Sequence, residues 1–165
     1  MTDFSAVKDG QKTYQKIGGW LILCAVGLLL YPVQTAVSLY TEIIPALSSE
    51  NWSLLTSPHS VSYHPLWGPT LIMELVGNVC FLVLSLLVVV FFFKRRKVVP
   101  NLVIVFLASN LIFVGFDCYL AGVVLKKAHP AELQPPVNFF RTIAASIIWI
   151  SYFIFSKRVK KTFTK

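Results

Sequence analysis

Glu74, Asn78, Asn110, Asp117 and Arg141 are the residues of this 165-residue chain best placed to do chemistry, because each falls inside a long apolar run. A charge at the centre of a bilayer costs from ~3 to more than 10 kcal/mol, so such groups persist where they find partners, water or a ligand. Glu74 and Asn78 stand four apart and Asn110 and Asp117 seven apart, spacings that put each pair on one helix face. At about 1.5 Å per residue, Glu74 comes out ~6 Å deep, Asn78 and Asp117 ~12 Å, Arg141 ~3 Å and Asn110 ~22 Å. Glu74, Asn78, Asp117 and Arg141 therefore meet in one half of the bilayer, with Glu42, His64 and Trp67 as a rim.

Two readings of that meeting stand side by side. In one, it is a ligand-binding pocket: Arg141 neutralises Glu74 or Asp117, and the remaining carboxylate takes a proton, a cation or an amine-bearing ligand. In the other, it is a lock: Arg141 pairs with one acid across helices, Asn78 and Asn110 hydrogen-bond between helices, and nothing passes.

Other chemistry lacks its hardware. The sequence contains no HExxH, GxSxG, GxxxxGK[ST] or GxGxxG, so we assign no catalytic residue, no cofactor and no enzymatic activity. His59 and His64 lie five apart without a third ligand nearby, and no metal is assigned. Cys24, Cys80 and Cys118 all fall in apolar runs without CxxC spacing, which reads as small core residues. Asn51-Trp52-Ser53 is a formal glycosylation sequon, relevant only in a eukaryotic source.

The elements that position these groups are predicted to be four membrane spans, 18–44, 70–93, 102–125 and 139–155, each able to cross a hydrocarbon core of ~30 Å. A mean hydropathy of +0.70, with 56% hydrophobic and 13% charged residues, excludes an ordinary soluble domain. What remains outside the spans is too short for a second domain. The first run stays apolar through Val37, Leu39, Ile43 and Ile44, so it is read as a retained span, not a cleaved signal.

Charge placement then sets the orientation. Twelve of the fifteen Lys and Arg flank alternate ends of the spans, leaving only Lys126, Lys127 and Arg141 on the other side. Because cations accumulate on the cytoplasmic side, both termini are expected inside. The net charge of +8 is thereby a topology signal and not a nucleic-acid footprint.

The fold class expected is all-α: a polytopic four-helix transmembrane bundle, N-in and C-in, with a structured outer loop between the first two spans. That loop, 45–69, is rich in proline and aromatics, and a short helix is predicted around Ser49 to Thr56. Pro32 should kink the first span near Val26 to Leu28, and Gln34, Ser38 and Thr41 make a polar stripe beyond it. The turn 94–101 forces its two helices to be antiparallel neighbours, and 126–138 forms the second outer loop. The basic tail, 156–165, is read chiefly as fixing topology, with attraction to anionic lipid headgroups as the second reading. No internal repeat relates the two halves.

The runs Lys16-Ile17-Gly18-Gly19-Trp20-Leu21-Ile22-Leu23, Tyr63-His64-Pro65-Leu66-Trp67, Glu74 to Asn78, and Lys157 to Phe163 form a pattern that resembles the YdgK-like bacterial inner-membrane family, a domain of unknown function with four expected spans. The resemblance covers Ile17 to Phe163 and implies a bacterial cytoplasmic membrane. It lends weight to Trp20, His64, Trp67, Glu74, Asp117 and Arg141, and it supplies no activity.

The function expected is an inner-membrane protein that binds a small ligand or a membrane-protein partner in the outward-facing pocket. An oligomeric solute or lipid transporter and an accessory subunit of a membrane complex are the alternatives. The partners expected are the bilayer and its anionic headgroups, and no nucleic acid.

Overall fold

The computed structural model describes residues 19–60, 63–128 and 137–163. Among them the only regular secondary structure is helical. In α1 (Trp20–Ser38), Leu21, Cys24, Ala25, Leu28, Pro32 and Thr35 are buried. Steps of three and four along one stripe are the period of a helix resting against neighbours. The opposite face is equally apolar, with Ile22, Leu23, Leu30 and Val33 exposed, as lipid contact requires. Gly19, just before α1, has φ +59, and a Cβ there would sit 3.0 Å from the Arg158 guanidinium. The left-handed backbone angle favours glycine, while the exposed Arg158 side chain could give way to a Cβ.

The helix runs unbroken through Pro32, which is itself buried on the packing stripe. The departure from α geometry lies later than the Val26–Leu28 region, in a π-helical turn over Leu39–Ile43, followed by the short α2 (Ile44–Ala46). Of the polar residues beyond Pro32, Gln34 and Thr41 are exposed and Ser38 is half-buried, whereas Thr35 is 7% exposed and donates to the Tyr31 carbonyl at 3.0 Å. The buried polar position is therefore one residue off the stripe read from the sequence.

Next comes α3 (Ser49–Thr56), where the sequence predicts a short helix, and it folds over the start of α4 (Trp67–Phe93). Trp52 and Thr56 lie 3.7 and 3.8 Å from where a Cβ on Gly68 would stand. A five-residue turn, Lys94 to Val98, leads into α5 (Val99–Ala128), and Arg95 takes φ 54 to reverse the chain. The elements α4 and α5 start earlier than the sequence indicated because Pro69 and Pro100 lie in their first turns, where no intrahelical donor is lost. The chain then enters α6 (Val137–Phe155), packed along α5, and α7 (Lys157–Thr162).

Three helices, Trp20–Ala46, Trp67–Phe93 and Val99–Val124, are long and apolar enough to cross a membrane, while Phe139–Phe155 is a shorter apolar helix. Adjacent elements pack in sequence order: α1 on α4, α4 on α5 and α5 on α6.

One buried cluster gathers the start of α1 (Leu21, Cys24), the end of α4 (Val88, Phe92), the start of α5 (Val99, Val103, Phe106), the end of α6 (Phe153), and Val159 and Phe163. The core therefore sits at the α7 end of the bundle. There the Phe163 ring lies 5.3 Å from Phe92 and 6.5 Å from Phe153. The basic tail is consequently folded: Ser156 caps α7 by accepting from the Val159 amide at 3.4 Å, and Val159, Thr162 and Phe163 are buried.

Candidate functional site

At the α3 end the chemistry changes. On α4, Trp67, Thr70 and Glu74 recur at i, i+3 and i+7, so one face turned toward the bundle is polar. One turn further, a Cβ on Gly77 would stand 2.2 Å from the Phe113 ring of α5. Only glycine lets the edge of that ring come so close to α4, and small residues are the usual means of close helix approach in membranes. Because α5 runs antiparallel to α4, Asp117, one turn beyond Phe113, comes level with Glu74. The two carboxyl groups face each other closely enough to interact across the α4–α5 contact, with Glu42 of the π-helical turn near Glu74.

Two carboxyls facing each other between helices can hold a proton or a cation between them. One Asp117 oxygen, Oδ1, is buried without a protein partner. So are Thr70 Oγ1 and Trp67 Nε1, one and two turns nearer the α3 end on the Glu74 face. Buried polar atoms are ordinarily satisfied by protein or ordered water. This column of unmatched groups is suited to water or a polar ligand.

The remaining sequence-derived candidates are placed as follows. The side-chain amide of Asn78 donates to the Glu74 backbone carbonyl at 2.8 Å, staying on its own helix. Asn110 is buried and donates across helices to the Tyr31 hydroxyl at 2.6 Å. Arg141 is exposed on α6 and, among the described residues, makes no ion pair with Glu74 or Asp117. Glu42 is exposed and accepts from Ser38 Oγ at 2.5 Å. His64 is 7% exposed and its Nδ1 accepts the Leu66 amide at 3.2 Å, which leaves Nε2 to carry the ring proton. Trp67 heads the polar column, and among the described residues no three His, Cys, Asp or Glu side chains come together as a metal site.

The structure thus joins Glu74 with Asp117 and brings Glu42 near, while Asn78 bonds within its own helix and Arg141 lies exposed. Sequence reading missed Thr70, Gly77, Phe113 and Tyr31. The first two carried a signal, since Thr70 precedes Glu74 by one turn and Gly77 interrupts an otherwise bulky helix. Tyr31 carried none, because its partner is 79 residues away. A separate apolar groove of about 810 Å³ runs between α1 and α4, lined by Pro32, Val33, Leu82 and Leu86 among others.

Fold and site together define an all-helical protein built on apolar helices of membrane-crossing length, with a carboxyl pair between two of them. The chain belongs to the family described as a protein of unknown function, DUF2569, whose model matches residues 14–164. No curated protein and no solved structure matches it significantly.

Proposed function

We propose that this is a four-span protein of the bacterial cytoplasmic membrane, with both termini inside, that binds a small cationic ligand or a proton between Glu74 and Asp117. The observation that carries the reading is the meeting of two carboxyls from different helices with no cationic side chain paired to them among the described residues. Column residues Trp67 and Thr70 offer an N–H and an O–H on the way in from the α3 end. A fourth span is supported by α6, whose 19 residues rise about 28 Å, close to the hydrocarbon thickness. The cation distribution supports the orientation, in which the α3 end is the outer one.

The test is chemical. An apolar carbodiimide modifies protonated carboxyls within a bilayer, so peptide mass spectrometry of treated membranes should find Glu74 or Asp117 labelled. Sodium ions or ethylammonium should protect them, and the Glu74→Gln/Asp117→Asn variant should remain in the membrane with that label gone. Labelling at neither residue rejects the site; labelling unchanged by any cation offered rejects the cationic ligand and leaves the proton as occupant. Reporter fusions at the two termini check the topology; opposite compartments would reject it.

A further inference from the structure

The turn between α4 and α5 forms a crevice of about 240 Å³ lined by Phe91, Arg96, Lys97 and Val98. Its backbone is satisfied internally: the Arg95 amide donates to Phe92, the Arg96 amide to Phe91 and the Val99 amide to Arg96, at 3.1 to 3.3 Å. The left-handed conformation of Arg95 reverses the chain so that the two following cations fall beside the last turn of α4. Arg96 and Lys97 are exposed, and among the described residues neither has an ion-pair partner. Nor is one within reach in the described bundle, because its carboxylates, Glu42, Glu50, Glu74 and Asp117, all belong to the α3 half. An apolar floor of Phe91 and Val98 beneath an unpaired guanidinium and ammonium is amphipathic in the sense that a phospholipid is. Both sit at the end of a membrane-length helix, where headgroups lie.

We propose that this crevice binds one anionic phospholipid, its phosphate held between Arg96 and Lys97 and its glycerol and upper acyl carbons against Phe91 and Val98. Arginine's planar fork suits two phosphate oxygens, and lysine adds a point charge. The inference rests on the membrane reading of the helices but not on the orientation or on the Glu74–Asp117 site.

Native mass spectrometry of the full chain in neutral detergent, titrated with phosphatidylglycerol, phosphatidylcholine or inorganic phosphate, tests it. One phosphatidylglycerol should bind preferentially, weakening with salt. Arg96→Gln/Lys97→Gln should weaken it roughly tenfold to thirtyfold with thermal unfolding unchanged. Lys160→Gln/Lys161→Gln, which removes equal charge from α7, should weaken it by much less. Equal loss in both variants would mean that only diffuse charge attracts lipid, and would overturn the site. So would equal binding of phosphatidylcholine, or displacement by inorganic phosphate at the lipid's own concentration, which would make free phosphate the ligand.

Discussion

The α7 half and the α3 half of this bundle are built from the same helices but on opposite plans. At the α7 end, Phe92, Phe106, Phe153 and Phe163 close an apolar core, and every described charge is a cation. At the α3 end the helices hold carboxyls and three buried polar atoms without protein partners. Between them lies the Tyr31–Asn110 hydrogen bond, with the Tyr31 ring edge-on to Phe106 at 4.9 Å. Packing that leaves nothing unmatched holds a bundle together; packing that leaves polar atoms unmatched stores stability that a ligand can recover. One half is the clamp, and under the proposed function the other is the receptacle.

The largest effect should come from the clamp. Phe163→Ala removes the ring that α7 inserts between Phe92 and Phe153 and should cost about 3–5 kcal/mol, read as a lower midpoint of detergent unfolding. Carbodiimide labelling at the α3 end should survive wherever the protein stays folded. If labelling vanished in the folded fraction, the halves would not be separable.

Gly77→Ala should come next, at about 1–3 kcal/mol, because the new methyl must displace the Phe113 ring. Phe113→Leu in the same chain should recover much of it. A double variant worse than either single would show that Gly77 does not set the α4–α5 distance.

Tyr31→Phe removes one interhelical hydrogen bond and should cost only about 0.6–2 kcal/mol. A larger loss would make the boundary between the halves a structural element in its own right. Lys97→Gln, exposed in the α4–α5 turn, should change unfolding by less than about 0.5 kcal/mol while weakening phosphatidylglycerol binding.

How much of this was legible depended on the range of each interaction. The long helices follow from hydropathy because a bilayer selects on local composition. Their starts were misplaced at Pro69 and Pro100, since proline is a breaker inside a helix and a starter in its first turn. In α7, four cations hid an amphipathic face: Val159, Thr162 and Phe163 fall at i, i+3 and i+4, an anchoring signal visible among the lysines. Glu74 and Asp117 announced themselves as acids in apolar runs, but their pairing depends on Gly77 and Phe113 bringing two distant segments together. That Asn110 bonds between helices was legible in the lock reading, but its partner Tyr31, 79 residues away on the first span, was not.

Glu74 lies about 10 Å along the axis from Trp67, roughly a third of a ~30 Å hydrocarbon layer. An ion arriving from the α3 end therefore traverses a small electrical distance, and 100 mV across the membrane would bias its occupancy by less than ~1 kcal/mol. Occupancy of the pair should accordingly follow the composition of the fluid on that side far more than the energised state of the cell.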